Sequence, residues 1–585
     1  MSVERDAEIT IGDTTARHAE ALCHQDTAGS KPALAGSDPA PASLIICALA
    51  IGIFLGALAP AIDQRGVDGA LVLAGIVNYP PQSPMAAYFL DSWTSIHQLG
   101  AILLRAGMDQ SRVNAAMFLF PCALLVCGYA MIIHGLTGRF LLALAAGPLC
   151  YLANPLAPFF ASPDYTTLGL LLSQASEGTY GFWAHAGAVW VIGCVAGGRY
   201  ALAGFSALAL VCAHPVMGVY MTALLAATLV AGWAFFGFGM PGLAKGAALG
   251  ACVTLLSLAA FLETRSGFSA PIDQAAYNAY LRLWDVHQSH SMTPGQAIRI
   301  AAAAVLATAA LLAFIAFGGL RRKSALLTCI LVVVAVTVST IAYYAVHLVP
   351  QYLPALVLRA LPARLLNVQA FVSTPLALAL AICIADRSVG HRKTSAFVSA
   401  SRLLPIAILL LVIVSGAVYV LKRRDAFSVY ARTVLDTRIL GRVSPAQQQS
   451  EAFWRSVRGA GVSGLVLAAG QSSALSLFHG HLPIAIYGEA MDFINYIPQA
   501  AGIAARIVDE GYGITFSDPP PEILHAARLP PDAGRTYWAA LGAADWCRIS
   551  GDLGVTALIA PGDWTVTLPV IVRGPQLTLY AISCK

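Results

Sequence analysis

The chain has 585 residues, of which 58% are hydrophobic and only 11% are charged, and its mean hydropathy is +0.70. An average soluble domain carries about 25% charged residues, so the composition excludes an ordinary soluble protein and indicates a polytopic α-helical membrane protein. The net charge of +5 is too small and too dispersed on so long a chain to indicate a nucleic-acid partner.

Residues 1–42 are polar, with seven acidic residues against three basic ones, and we expect a disordered cytoplasmic tail. The tail lacks a basic segment followed at once by a short apolar run, which would mark a cleaved signal. The first apolar run, near 43–62, should therefore remain as a membrane helix of roughly 20 residues. It opens the predicted transmembrane domain, residues 43–424.

Apolar runs of spanning length recur up to residue 424. The run 200–238 is too long for one crossing, and His214, Pro215 and Gly218 break it, so we count it as two spans. The sequence then predicts about eleven spans, near 43–62, 113–136, 140–160, 179–197, 200–238 (two), 245–262, 298–318, 324–348, 366–385 and 402–421.

Basic residues set the expected orientation. With this count, four basic sites fall on one side of the membrane, which the positive-inside rule assigns to the cytoplasm: Arg139, Arg199, Arg321 and Arg387. The outer loops near 63–112 and 263–296 and the region 425–585 then lie outside. The basic run 422–424 opposes the rule, but the first anchors usually dominate.

Residues 425–585 have the composition of a soluble domain. Short apolar runs at 464–468, 483–487, 557–560 and 577–582 alternate with helical patterns at 446–459, 495–509 and 536–549, and this order predicts an extracytoplasmic α/β domain. Two cysteines fall in it, Cys547 and Cys584. They would pair in an oxidising compartment, and two free thiols are the alternative.

The first outer loop holds Asp91 and His97, a carboxylate and an imidazole between the first two spans, and both are candidate catalytic residues. Apolar residues recur at helical spacing over 96–106, which predicts an amphipathic helix in the membrane interface that ends at Gly107. Asp91 or Ser92 could also act simply as the N-cap of that helix.

An ionisable group at membrane depth is costly, so it faces a cavity or a partner. Glu177 and Tyr180 stand at the outer mouth of the 179–197 span and are candidates for substrate binding. His214 lies at the helix break, where it either faces a cavity or bonds a carbonyl that Pro215 leaves free.

Two further groups of candidates precede later spans. Arg359 and Arg364 come before the 366–385 span, where a guanidinium suits bidentate phosphate binding and simple topology setting is the alternative. The second outer loop contributes Trp284 and His287 to the substrate-binding candidates. Its Asp285, His287 and His290 have the chemistry of metal ligands, but their spacing matches no zinc pattern, so a solvated loop face is favoured.

The order of these features resembles a family. An acidic outer loop after the first span, about eleven spans, an arginine before a late span and a C-terminal α/β domain are similar to the C-type membrane glycosyltransferases that use polyprenyl-phosphate sugars, in an uncharacterised bacterial branch. The matching pieces are Tyr88–Asp91, Glu177–Tyr180, His214–Gly218, Leu361–Arg364, Leu553–Ile559 and Leu577–Tyr580.

The resemblance implies a bacterial inner-membrane enzyme that moves a sugar from a polyprenyl-phosphate donor to an envelope glycan or lipid acceptor. It gives Asp91 the role of general base or of ligand to a divalent cation. It gives Arg364 the role of binding the lipid phosphate. Many members carry an acidic pair directly after the first span, where this chain has Asp63-Gln64-Arg65. Asp63 is therefore a rival to Asp91.

The competing function is a non-enzymatic transporter, flippase or assembly component for an envelope polysaccharide. Repeated halves, which many secondary transporters show, are not evident in the sequence. The two functions differ in expected geometry. An enzyme should gather Asp91 and Arg364 at one outward-facing cavity, whereas a carrier should distribute polar groups through the full membrane depth.

Overall fold

The structure is a computed structural model that describes residues 39–58, 65–152, 154, 156, 179–285, 294–317, 322–349, 352–354, 365–390, 410, 413–414, 417–418, 421, 424–470 and 472–584. Within these ranges the chain is mostly helical. Most of the predicted tail and of the predicted span 402–421 lies outside them.

The described helices before residue 391 are α1 (Ala42–Ala57), α2 (Arg65–Leu73), α3 (Pro84–Asp91), α4 (Ser95–Arg105), α5 (Gln110–Thr137), α6 (Phe140–Leu152), α7 (Thr179–Ala196), α8 (Tyr200–Ala213), α9 (Pro215–Phe236), α10 (Leu243–Glu263), α11 (Gln274–Ala279), α12 (Pro294–Phe317), α13 (Lys323–Leu348) and α14 (Leu366–Gly390). A π-helical turn, Tyr280–Trp284, continues α11. Among the described residues, five helices are long and apolar enough to cross a membrane: α5, α9, α10, α13 and α14. These helices indicate a membrane protein, and the count of about eleven spans stays a prediction.

The long apolar run 200–238 is broken where the sequence predicts. Helix α8 ends at Ala213 and α9 begins at Pro215, so His214 is the only residue between them. Helices α1 and α6 are shorter than the predicted spans 43–62 and 140–160. Both end shortly before a proline in the sequence, Pro60 and Pro155, and the residue before a proline is disfavoured in helical conformation.

Small residues let the helices of the bundle approach closely. A Cβ atom added at Gly193 of α7 would lie 2.8 Å from the Gly128 Cα atom of α5, and one added at Gly246 of α10 would collide with the Ala201 carbonyl of α8. Close backbone approach is the usual means of helix association in membranes, because burial from lipid supplies little driving force.

At one end of the bundle, which we call the basic end, arginine side chains donate hydrogen bonds to backbone carbonyl oxygens. Arg199 Nε donates to the Ala40 carbonyl oxygen at 3.0 Å, and Arg322 Nη1 donates to the His134 carbonyl oxygen at 3.5 Å. Helix α8 starts beside Arg199 and runs to the opposite end, which we call the loop end.

The loop end carries α2, α3 and α4, three helices where the sequence predicts a polar loop with one helix. Ser83 caps α3, because its Oγ accepts from Met85 N at 3.2 Å. The predicted helix 96–106 is confirmed as α4, and Gly107 follows it with a φ of +86°. The predicted N-cap, Asp91 or Ser92, is wrong. Thr94 is the cap, since Asp91 is the last residue of α3.

The C-terminal region contains a small sheet surrounded by helices. Its elements are α15 (Arg424–Thr433), α16 (Pro445–Gly459), β1 (Leu465–Ala468), α17 (Ser473–Phe478), α18 (Phe493–Tyr496), α19 (Ala501–Arg506), α20 (Arg535–Ala540), α21 (Ala543–Leu553), β2 (Val555–Pro561), β3 (Val570–Arg573) and β4 (Leu577–Ala581). The strand order is β1-β2-β4-β3. Strands β1 and β2 are parallel, and β4 is antiparallel to both of its neighbours.

The predicted apolar strand 483–487 is not a strand. It makes a single parallel bridge, between Ile484 and Val466 of β1, because Pro483 offers no backbone N–H with which to extend the pairing. Cys547 of α21 and Cys584 after β4 form a disulfide, with their Cα atoms 5.3 Å apart. Of the two alternatives that the sequence leaves open, the structure has the paired one.

The C-terminal region packs against the loop end. The π-helical turn after α11 meets it through two backbone hydrogen bonds, from His525 N to the Leu283 carbonyl oxygen at 2.7 Å and from Ala527 N to the Trp284 carbonyl oxygen at 2.9 Å. Gln110, at the start of α5, receives a hydrogen bond from His481 Nε2 at 2.7 Å when that nitrogen carries the proton.

Candidate functional site

Five of the ten predicted site residues fall within the described residues, and these are Asp91, His97, Tyr180, His214 and Trp284. The other five lie outside them: Asp63, Glu177, His287, Arg359 and Arg364. The five described residues all lie at the loop end of the bundle, on or beside the helices described above.

Asp91 is bound by the segment that follows α10. Ser266 N donates to Oδ1 at 2.8 Å and Ser266 Oγ donates to Oδ2 at 2.6 Å, while Arg265 Nε lies 3.9 Å from Oδ1. Only 11% of the Asp91 side chain is exposed. The carboxylate therefore joins the end of α3 to the segment that follows α10.

His97 lies on the buried face of α4, where its imidazole fills a space made by other loop-end helices. A Cβ atom at Gly69 of α2 would collide with the His97 ring, so any residue other than glycine at position 69 would displace the ring. The Phe89 ring of α3 packs edge-on at a centroid distance of 6.5 Å. Burial lowers the pKa of His97 to about 4, and the Phe89 backbone carbonyl acts weakly in the opposite direction. The ring is therefore neutral at pH 7.

Tyr180 stands in the first turn of α7, and its hydroxyl is hydrogen-bonded to His97 Nε2. The two rings meet edge-to-face at a centroid distance of 5.3 Å. His97 is 1% exposed, whereas the Tyr180 side chain is half-buried. The structure thus brings together two predicted site residues that are 83 positions apart in the sequence.

His214 acts as the cap of α9. Its Nδ1 accepts from Met217 N at 3.2 Å, which satisfies one of the free N–H groups of the first turn. The carbonyl at the end of α8, that of Ala213, accepts instead from Thr94 Oγ1 at 2.8 Å. The sequence leaves two alternatives for His214, a cavity or a carbonyl partner, and both stay predictions; the capping contact with a backbone N–H is a further one that the sequence does not predict.

Trp284, the last residue of the π-helical turn after α11, is fully buried against the C-terminal region. Its Nε1 donates to the Phe516 carbonyl oxygen at 2.8 Å, and its ring stacks on the Phe516 ring at 5.2 Å. Asp285 beside it accepts from Asn495 Nδ2 at 3.2 Å. These contacts give Trp284 a role in attaching the C-terminal region.

Asp68 is a polar residue of the loop end that the sequence does not single out as a candidate. It is buried on α2, and its Oδ2 accepts from the Tyr487 hydroxyl at 2.6 Å. Burial raises the pKa of nearby Tyr79, and the Asp68 charge raises it further. The sequence pattern that could have indicated this burial is a carboxylate flanked by Val67, Gly69 and Ala70. A single charged residue in so apolar a helical segment is expected to be buried with a polar partner.

A second group of missed polar contacts joins α6 and α14 near the loop end. Asn154 Nδ2 donates to the Phe371 carbonyl oxygen at 3.1 Å, and Thr374 Oγ1 donates to Asn154 Oδ1 at 2.5 Å. His185 of α7, which the sequence places with Glu177 and Tyr180 at the mouth of the 179–197 span, stacks its ring on the Phe371 ring at a centroid distance of 4.9 Å. Short amide and hydroxyl side chains do not disturb the hydrophobic pattern of a helix, so the sequence does not indicate that Asn154 and Thr374 form a contact.

Among the described residues, no group of three or more His, Cys, Asp or Glu side chains is placed to hold a metal ion. Comparison of the sequence with protein families, with curated proteins and with solved structures finds no match. The geometry of the loop end is therefore the basis on which a function can be argued.

Proposed function

We propose that the protein is a membrane glycosyltransferase that moves a sugar from a polyprenyl-phosphate donor to an envelope glycan or lipid acceptor. One observation carries the proposal. Among the described residues, side chains with specific polar partners gather at the loop end, as Asp91, His97 and Asp68 do, while the basic end has cations on backbone carbonyls. A reaction at one membrane face needs such a one-sided site.

The expected roles follow from the chemistry of the transfer. A lipid-linked phosphate is a good leaving group that needs charge neutralisation, which Arg364 and Arg359 would supply ahead of α14. A carboxylate, Asp91 or Asp63, would accept the proton of the attacking hydroxyl. Both Asp91 oxygens already accept hydrogen bonds, but each has a second lone pair, so its contacts are compatible with that role.

Two observations support a bacterial inner-membrane protein whose C-terminal region lies outside the cytoplasm. The Cys547–Cys584 disulfide belongs in an oxidising compartment. The C-terminal region packs on the loop end, opposite Arg199 and Arg322, which the positive-inside rule assigns to the cytoplasm.

A carrier is less well supported by the described residues. Their buried carboxylates, Asp68 and Asp285, both contact the C-terminal region at the loop end. A path through the bundle would need such groups along its full depth.

The decisive experiment is glycan analysis of a deletion strain by mass spectrometry, with transfer of labelled sugar to its membranes by added purified protein. We expect one glycan to disappear and to return with the wild-type gene. Asp91→Asn and Asp63→Asn, compared at equal protein level, identify the base, since each keeps the side-chain shape and removes the charge. An unchanged glycan profile in the deletion strain contradicts the proposal.

Arg364 is tested by a matched pair of substitutions. Lysine keeps the charge that sets topology but loses the planar fork that binds a phosphate bidentately, so Arg364→Lys should reduce transfer nearly as much as Arg364→Ala. Membrane levels are checked by immunoblot. Full rescue by lysine removes the phosphate-binding role from Arg364.

A further inference from the structure

The C-terminal region contains an open cleft whose lining includes none of the predicted site residues. It lies between α16 and the turn that joins β3 to β4, and it has about 370 Å³ of empty space. Three polar side chains line it, Gln449, Ser450 and Gln576, together with the rings of Phe453 and Trp454. We propose that this cleft binds one neutral sugar unit of the acceptor glycan. The inference rests on the proposed function and deepens it, because it names a glycan chain as the acceptor.

The walls of the cleft are held in place by the fold. A Cβ atom added at Gly574, in the turn between β3 and β4, would collide with the Phe453 ring, so glycine lets the turn approach α16 closely. The turn is closed by a hydrogen bond from Gly574 N to the Leu577 carbonyl oxygen at 2.8 Å. Ser444 and Gln447 form a capping box that fixes the first turn of α16. The cleft is therefore formed before a ligand binds.

The lining suits a neutral ligand that carries hydroxyl groups. Gln449 and Gln576 are exposed and Ser450 is half-buried, and none of these three side chains has a hydrogen bond to another residue within the described ranges. Amide and hydroxyl groups both donate to and accept from a sugar hydroxyl. A phosphate or a carboxylate ligand would need a cation, and no residue that lines the cleft carries a charge.

Two aromatic rings form the floor of the cleft. Phe453 and Trp454 are 6% and 4% exposed, and their rings meet edge-to-face at a centroid distance of 4.9 Å. The apolar face of a sugar ring can lie on such a floor while the polar side chains bind its hydroxyls, because a ligand site combines apolar surface with a few placed polar groups.

Trp454 also connects the cleft to the part of the C-terminal region that meets the bundle. Its ring stacks on the His479 ring at a centroid distance of 6.0 Å. The two neighbours of that histidine contact Gln110 at the start of α5. His481 Nε2 lies 2.7 Å from Gln110 Oε1, and Gln110 Nε2 donates to the Phe478 carbonyl oxygen at 3.1 Å. A glycan held in the cleft is thus anchored beside the loop end, where we place the transfer.

The test measures binding without transfer. Oligosaccharides released from the cell wall of the deletion strain are separated by ion exchange into a neutral and a charged fraction and are labelled. Their binding to the full chain in lipid nanodiscs is measured by equilibrium dialysis. We expect the neutral fraction to bind more tightly than the charged one. Gln449→Ala and Gln576→Ala should each raise its Kd about 3- to 10-fold, the value for one lost hydrogen bond.

Gln448→Ala is the matched control, because Gln448 is an exposed glutamine of the same helix that does not line the cleft. It should leave the Kd unchanged. All three glutamines are exposed, so their replacement should also leave the thermal midpoint unchanged, and a loss of binding then reports on the cleft. Absence of binding by the neutral fraction, tighter binding by the charged one, or an equal loss in Gln448→Ala and Gln449→Ala overturns the inference.

Transfer assays with membranes of the deletion strain separate this inference from the proposed function. The double variant Gln449→Ala/Gln576→Ala should raise the apparent KM for the cell-wall acceptor and leave the apparent KM for the donor in lipid extract unchanged. Transfer with an unchanged acceptor KM overturns the role of the cleft alone. Binding of neutral oligosaccharides by a protein that transfers no sugar overturns the proposed function, and the acceptor role of the cleft with it.

Discussion

The two ends of the helix bundle use charge in different ways. At the basic end, Arg199 and Arg322 donate to backbone carbonyl oxygens, those of Ala40 and His134. A carbonyl is present at every residue, so such a contact requires only that a cation reaches the helix end. These contacts depend little on which side chains surround them.

At the loop end, carboxylates meet particular side chains from distant parts of the sequence. Asp91 is bound by Ser266, and Asp68 by Tyr487, which is 419 positions away. Each contact needs both partners and leaves a buried polar group when one is removed. The basic end should therefore tolerate substitution, and the loop end should not.

The largest effect is expected in the C-terminal region, which packs on the loop end and contains a disulfide. Replacing Cys547 and Cys584 together by serine removes a disulfide that closes a loop with a sequence separation of 37, worth about 4 kcal/mol in the chain-entropy description. Thermal unfolding of the C-terminal region measures it. Cys47→Ser, at an exposed free cysteine of α1, is the control and should change nothing. Equal midpoints for both variants contradict the prediction.

Acid should weaken the loop end through His97. Its pKa falls from about 6.5 to about 4 on folding, so the unfolded chain binds more protons between these values. Stability is complete above pH 6.5 and is lost as the pH falls toward 4, by roughly 3 kcal/mol for this residue. The pKa values of His479 and His481 are lowered as well, so the measured quantity is the difference between wild type and His97→Phe. A difference that does not change with pH contradicts the assignment.

The sequence predicts the bundle better than the loop end, for a physical reason. Apolar length and the break at His214 are local patterns, and the structure has them close to where they are predicted. The N-cap at Thr94 was missed because a helix ending at Asp91 was not recognised in Tyr88–Asp91. The partners of Asp68 and Asp91, Tyr487 and Ser266, are set by tertiary packing, which no local pattern contains.

The hydroxyl group of Tyr487 should contribute measurably to the stability of the protein, because it binds a buried carboxylate of the loop end. Tyr487→Phe removes the donor to the buried Asp68 carboxylate and should destabilise the protein by about 2 kcal/mol, the range for a hydrogen bond to a charged group. The control is Tyr496→Phe, at a tyrosine that is 50% exposed. Protease resistance and thermal midpoint in detergent report the effect. Equal loss in both variants would show that the Asp68 contact is not special.

The smallest effect is expected at the basic end. Arg199→Lys keeps a cation that can still reach the Ala40 carbonyl, so we expect a loss below about 1 kcal/mol, and Arg199→Ala should lose only a little more because the carbonyl lies at a helix end. Orientation should also persist, since Arg139 and Arg322 remain on the same side. Reporter fusions at residue 440, together with the thermal midpoint, measure both properties. A reporter that changes sides in Arg199→Lys, or a loss as large as that of Tyr487→Phe, would show that the basic end is as specific as the loop end and would remove the distinction between them.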